Sequence, residues 1–320
     1  MKSSIRWTVV LIALLGMTRS LPACRGDGDG DVDSDGDGDV DSDGDGDMDT
    51  DSDGDTDTDV DTDVDTDTDV DTDVDTDSDV EPPSGFVVDH TSLNVGAIPQ
   101  EYLDAARGLD VLFGHQSVGW NIIDGMWILS GEDWGRYNLN IQDEVWPEWF
   151  NEDSGLGHFP VGENYNPDSK IDDFEDRVMN WGFGDVVAVA MMKLCFVDLD
   201  GSSPADVFNH YRDTMERLES TYPDVVFVWW TAPVRASGSP NHDRFNTLVR
   251  EHCASTGRVL FDLAAIESHD PSGNPVTSDG NESMYGGYAA EDMEHLGEQG
   301  MRRGAQAMWY LLARLAGWGG

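Results

Sequence analysis

The chain has 320 residues, with 65 Asp+Glu against 18 Lys+Arg and a net charge of −47 at pH 7. No basic stripe exists to displace counterions from phosphate, which counts against a nucleic-acid binder. The charge is uneven: every odd-numbered residue from Asp27 to Asp79 is Asp, and Glu81 brings the carboxylates before Pro82 to 28. Residues 82–320 keep 37 acids against 14 bases, a net −23. Asp alternating with Gly, Ser, Thr or Val cannot form a core. One 320-residue globule is therefore excluded, and roughly 235 residues remain, a fair size for one α/β domain.

Lys2 and Arg6 precede an apolar run, Trp7 to Met17. The run is too short to cross a bilayer core of about 30 Å as a helix. It reads as a secretory signal peptide, residues 1–23. Leu21-Pro22-Ala23-Cys24 resembles a bacterial lipobox. That resemblance implies acylation of Cys24 and export to a bacterial membrane, at the outer membrane or cell surface; the alternative is an ordinary signal peptide that contains a Cys. Two acyl chains would anchor firmly, at about 0.8 kcal/mol per buried methylene. Arg19 departs from the usual pattern near the cleavage site. Cys195 and Cys253 are the other cysteines, either a disulfide, which an exported protein permits, or two buried thiols.

Residues 24–85 form the next segment, an acylated Cys followed by an Asp-rich linker. Like charges at every second residue repel and extend a chain. The contour reaches on the order of 190 Å at about 3.3 Å per residue, enough for a stalk between membrane and domain. Asp31 to Gly36 looks like the first half of a calcium loop. Parity argues against an EF-hand. A loop that starts on an odd-numbered Asp puts its twelfth position on an even number, where this tract carries no carboxylate for the bidentate ligand. Weak, unshaped calcium association is what the tract allows.

Pro82-Pro83-Ser84-Gly85 ends the linker, and residues 86–320 form the domain. Val111 to Phe113 is a short apolar strand, and Val118 to Leu129 has helical spacing. A weaker strand lies near Leu139 to Ile141, and Ile171 to Trp181 is helical. Val186 to Leu194 is a nearly continuous apolar run, as in a strand buried on both faces. Pro204 to Tyr222 is a helix with Ser203 available as its N-cap, and Val225 to Trp230 is a strand. Arg244 to Cys253 is a helix, Val259 to Leu263 a strand and Met301 to Leu315 a closing helix. The alternation predicts a three-layer α/β/α sandwich around a mainly parallel sheet, flavodoxin-like in type. Chemistry in such folds sits beyond the carboxyl ends of the strands.

Two features answer to that rule. Gly114-His115-Gln116-Ser117-Val118-Gly119 lies between the first strand and a helix. Ser117 is there either an exposed hydroxyl beside helix N–H groups or a helix cap. Asp292-Met293-Glu294-His295-Leu296 precedes the closing helix. Asp292 and His295, three apart, can share one side of a helical turn, so that the Asp orients the imidazole. Alone, the segment reads rather as a polar helix start with an incidental His.

Together the two resemble the SGNH/GDSL-like hydrolase superfamily over roughly residues 107–317. Leu194 to Asp198 at the end of the third strand, Tyr222 to Phe227 leading to Thr231-Ala232-Pro233, Phe245-Asn246, and Phe261-Asp262-Leu263-Ala264 follow the same layout. The resemblance implies a serine esterase with Ser117 as nucleophile, His295 as general base and Asp292 as its orienter. This mechanism requires no metal or organic cofactor. The usual Gly-Asp-Ser is here Gly114-His115-Gln116-Ser117, longer by one residue. The usual Gly-x-Asn-Asp is Cys195-Phe196-Val197-Asp198, which lacks the Asn that donates to the oxyanion. Such a donor is worth about 3–4 kcal/mol, so a substitute is expected. The candidates are the Ser117 and Gly162 backbone N–H groups with the Asn164 side chain; Asn164 is otherwise a turn residue. His115 is expected to make a structural hydrogen bond.

Residues 127–181 are rich in aromatics: Trp127, Trp134, Tyr137, Trp146, Trp149, Phe150, Phe159 and Tyr165. They are either core packing or a platform on which sugar rings stack. The expected activity is ester hydrolysis, with O-acetyl groups of a glycan as one substrate class. The alternatives are a non-catalytic glycan-binding lipoprotein on the same fold and a polysaccharide O-acyltransferase. The −23 of the domain favours neutral or cationic esters.

Overall fold

The computed structural model describes residues 85–320. The signal peptide, Cys24 and the Asp-rich linker up to residue 84 lie outside the described residues. The chain opens with strand β1 (Val87–Val88) and helix α1 (Gln100–Ala106). The first central strand, β2 (Asp110–His115), leads into α2 (Val118–Glu132) and the short α3 (Trp134–Tyr137). Then follow β3 (Ile141–Asp143), β4 (Gly155–Pro160), α4 (Pro167–Met179), β5 (Val189–Met192) and α5 (Pro204–Thr221). The remainder is β6 (Val226–Trp230), α6 (Pro240–Thr256), β7 (Val259–Phe261), α7 (Leu263–Glu267), a small hairpin of β8 (Thr277–Ser278) and β9 (Asn281–Glu282), and α8 (Glu298–Leu315).

The main sheet has seven strands in the order β1-β7-β6-β5-β2-β4-β3, all parallel. Alternation along the strands sorts side chains to two faces. Val111 and Phe113, Val189 and Met191, and Val228 and Trp230 join one buried cluster with residues of α1, α2 and α8. Leu112, Ala190, Met192, Phe227 and Trp229 join the other with residues of α4, α5 and α6. Helices therefore cover both faces, the α/β/α arrangement expected from the strand-helix alternation. Each central strand is buried on both sides, which is why its sequence reads as an unbroken apolar run.

The helix ends follow their local chemistry. Asn166 accepts from the Ser169 N–H at 3.2 Å, with Pro167 at the first position of α4. Ser203 accepts from the Asp206 N–H at 3.4 Å to cap α5. Gly257, at φ 68°, ends α6 in the left-handed conformation. Cys195 and Cys253 are both buried free thiols. Burial pushes the Cys253 thiol up to about 12.

Candidate active site

Strand β2 is central, and the chain leaves its carboxyl end at residue 115 to enter α2. Its neighbours are β4 on one side and β5 on the other, so loops from both flank the segment. Ser117 sits in this turn with φ 52° and ψ −113°, a left-handed backbone that favours glycine. It occupies the cap position of α2, but its hydroxyl caps nothing. The helix-cap alternative therefore fails, and the hydroxyl points to another partner. Gly119 allows the sharp entry, because a Cβ there would lie 2.4 Å from the His115 ring.

That partner is His295. Its Nε2 lies 2.7 Å from Ser117 Oγ, and its Nδ1 lies 2.6 Å from Asp292 Oδ2. A carboxylate only accepts, so Nδ1 carries the proton and donates to Asp292. The Nε2 lone pair is left to accept from the Ser117 hydroxyl. The structure thus brings together Ser117, His295 and Asp292 in the order that a serine nucleophile needs.

Asp292 and His295 do not share a helical turn. They lie in a tight loop before α8, which starts only at Glu298. Met293 takes φ 60°, and the Ala290 N–H donates to the His295 carbonyl at 2.8 Å. Asp292 Oδ1 accepts from the backbone N–H groups of Glu294 (3.0 Å) and His295 (2.9 Å). These two bonds, with the His295 ring contact, pull the Asp292 carboxyl down to about 2. The loop is tied to α2 by the Leu296 N–H, which donates to Asn121 Oδ1 at 3.1 Å. Arg235 braces it from the other side, 3.4 Å from Glu294 and hydrogen-bonded to Asp200. The Phe196 ring meets the His295 ring edge-on at 5.6 Å between centroids.

The expected oxyanion donors divide. The Gly162 N–H donates to Asp173 Oδ2 at 2.9 Å, so it is committed elsewhere, which corrects its assignment as a donor. Gly162 instead serves packing: at φ 46°, a Cβ there would lie 2.6 Å from the Lys170 backbone. Asn164 is exposed, and its Oδ1 accepts from Lys170 Nζ at 2.8 Å, which leaves its amide N–H groups uncommitted to that bond. Gln116 Nε2 donates to the Val161 and Gly162 carbonyls at 2.7 and 2.6 Å. This clamps the loop after β4 to the residue beside Ser117.

Asp198, aligned with the usual Gly-x-Asn-Asp, is fully buried. It accepts from the Cys195 N–H (2.6 Å), the Tyr165 N–H (3.0 Å) and Lys170 Nζ (2.7 Å). The buried Lys170–Asp198 pair therefore ties the loop after β5 to α4, and the Tyr165 N–H bond ties it to the loop after β4. Sequence reasoning missed Lys170. A lone lysine inside an amphipathic helix carries no signal of its own, although it falls one place before Ile171 on the buried face.

His115 is buried, its Nε2 3.3 Å from His158 Nδ1. Burial, His158 and Lys193 together hold its pKa well below the usual histidine range, so it stays neutral and structural. Among the described residues, no group of three or more His, Cys, Asp or Glu side chains is arranged to hold a metal ion.

No family model matches the chain, and no curated protein does. Solved structures do. A GDSL-like lipase from Bacteroides thetaiotaomicron shares 11% identity, with 70% of this chain and 98% of that chain covered and a TM-score of 0.39. A family 3 carbohydrate esterase from Clostridium thermocellum shares 13%, covering 65% of this chain and 99% of that chain, with a TM-score of 0.39. A catalytic mutant of an acetylxylan esterase from Geobacillus stearothermophilus shares 12%, covering 66% and 95%, with a TM-score of 0.37. Residue roles here rest on the geometry of this chain.

Proposed function

We propose that the protein is a serine ester hydrolase of the SGNH/GDSL type. The observation that carries this reading is the Ser117–His295–Asp292 relay at 2.7 and 2.6 Å. His295 Nε2 takes the Ser117 proton as Oγ attacks the ester carbonyl. The tetrahedral oxyanion is met by the Ser117 N–H at the head of α2 and by the Asn164 amide. His295 then gives its proton to the departing alcohol, and an acyl-enzyme remains. Water, deprotonated by the same imidazole, releases the acid. Asp292 holds the tautomer and offsets the imidazolium charge.

The ester class we propose is O-acyl groups on a neutral or cationic glycan, given the domain's −23. A lipid anchor at Cys24 and the acidic stalk would hold the domain outside a bacterial membrane. The non-catalytic binding module is the weaker reading, because a hydroxyl held on an imidazole by a strained turn serves no binding role.

The test is p-nitrophenyl acetate hydrolysis by the purified protein beside Ser117→Ala. Equal rates would sink the esterase reading. Radiolabelled palmitate incorporation, lost in Cys24→Ser, tests the anchor separately.

A further inference from the structure

At the β4 and β3 edge of the sheet lies a cleft of about 160 Å³. Its walls are Glu144, Val145, Trp146, Phe159, Pro160, Arg177 and Trp181. The Trp146 and Trp181 rings stack at 4.9 Å with a 17° tilt, yet Trp146 is 60% and Trp181 38% exposed. One indole face is thus occupied and much ring surface is left to solvent. The indoles are not loose. Trp181 Nε1 donates to Asp176 Oδ2 at 3.1 Å. The Arg177 guanidinium lies 4.1 Å from the Phe159 centroid and 4.4 Å from that of Trp181. Aromatic surface held open at water favours a partner that covers it.

A series of hydrogen bonds links the cleft wall to the catalytic loop. Arg177 Nε donates to Asp173 Oδ1 at 3.1 Å, and Asp173 Oδ2 accepts from the Gly162 N–H. The Gly162 carbonyl accepts from Gln116, the neighbour of Ser117. Side chains that bind in the cleft and groups that react at Ser117 therefore share one hydrogen-bonded frame.

We infer that this cleft is a subsite for one pyranose ring of a neutral glycan, stacked on Trp146, and that it holds the chain whose ester reaches Ser117. The inference names the substrate class of the proposed ester hydrolase and rests on that reading for its second half. A pyranose has an apolar C–H face for the indole and equatorial hydroxyls for its edges. Glu144 accepts from such hydroxyls and Arg177 donates to them, so both signs of polar partner flank one apolar floor. A fatty acyl chain would offer no hydrogen bond to Glu144 or to the Arg177 N–H groups turned to the cleft, a desolvation cost without return. An anionic glycan would meet Glu144 and the acidic domain.

The test uses Ser117→Ala protein, which cannot turn over substrate, and tryptophan fluorescence with calorimetry. The probes are xylohexaose, cellohexaose and N-acetylchitohexaose, with octanoate and 4-hydroxycinnamate beside them. Saturable binding of at least one oligosaccharide, weakened tenfold or more by Trp146→Ala and less by Trp146→Phe, is expected. Trp134→Ala, an exposed indole on α3, should leave that affinity within twofold. Binding of octanoate or hydroxycinnamate alone overturns the inference in favour of an acyl or aryl pocket, and no saturable binding by any probe overturns it outright. Hydrolysis of p-nitrophenyl acetate by the unaltered protein reports on the esterase reading independently. Turnover without sugar binding removes only the subsite. Sugar binding without turnover removes only the esterase.

Discussion

Ser117 Oγ and His295 Nε2 are 178 positions apart in the chain and 2.7 Å apart in space. The contact needs a strained serine at one end and a turn with Met293 at φ 60° at the other. Groups that act as one unit lose their effect together. Ser117→Ala and His295→Ala should each lower kcat on p-nitrophenyl acetate by at least about a thousandfold, and the double variant should fall no further. A double variant far slower than either single would separate the two residues and remove the relay.

The strain at Ser117 gives a second test with the opposite sign. A non-glycine residue at φ 52° costs energy that glycine avoids. Ser117→Gly should therefore lose activity yet gain stability, by about 1 kcal/mol. Urea unfolding followed by tryptophan fluorescence would show the shift. A destabilised Ser117→Gly would mean that the hydroxyl–imidazole bond outweighs the strain.

Asp292 sets a pH dependence through its lowered pKa. The folded value of about 2 lies below the usual carboxylate value. The stabilisation is therefore complete above about pH 4, the unfolded value, and is lost as pH falls towards 2. In Asp292→Asn that part of the acid limb should flatten in a pH series of urea midpoints. The same variant should cost about 10²–10⁴ in kcat at neutral pH, because Asn can donate to Nδ1 and favours the wrong tautomer. Unchanged turnover would show that the backbone alone orients His295.

Much of the fold was legible because parallel strands buried on both faces read as apolar runs, as at Val226–Trp230. Strand β4 was not. Its sequence Gly155-Leu156-Gly157-His158-Phe159-Pro160 contains two glycines, a histidine and a proline and no β-branched residue. Its reason lies in tertiary packing: a Cβ on Gly157 would lie 2.7 Å from Val145, so the strand is shaped by what crosses it. Strand β1, with only Val87 and Val88, pairs with β7 and is too short to show a period. At the site, position and residue type marked Ser117, His295 and Asp292 as candidates with bland alternatives, and the family resemblance joined them. The partners of Asn164 and Gly162 were not, since Lys170 and Asp173 bond to them from a helix whose sequence pattern reports only its apolar face.

The Lys170–Asp198 pair is buried at both ends and joined at 2.7 Å. Removing one partner strands the other charge. Lys170→Met should destabilise the protein by about 3–5 kcal/mol. Adding Asp198→Asn should recover part of that loss by removing the stranded charge, although its single amide oxygen can accept from only one of the Cys195 and Tyr165 N–H groups, which bond different carboxylate oxygens. Denaturant titrations of the two variants beside the parent measure the coupling. Equal losses in the single and double variants would show that the charge on Asp198 is not the cost.

Glu267 offers the last test, on the alkaline side. It is fully buried; its Oε2 accepts from the Val234 N–H at 2.7 Å, and its Oε1 has no protein partner. Burial pushes its carboxyl up to about 8, although the nearby Lys193 pulls the other way. Lys193 is itself buried, and burial lowers its pKa. The folded protein therefore keeps a proton that the unfolded chain releases near pH 4.3. Between about pH 4 and pH 8 the unfolded state binds fewer protons, so stability falls as pH rises, and the loss is complete above the folded value. Glu267→Gln removes this titration and keeps an oxygen for Val234. Its stability relative to the parent should rise between pH 5 and pH 9, by a few kcal/mol in order of magnitude. Glu267→Ala, which leaves the Val234 N–H unpaired, should be weaker than Glu267→Gln at both pH values. A Glu267→Gln protein whose unfolding midpoint follows the parent's across that range would place the proton elsewhere, with Lys193 the first group to examine.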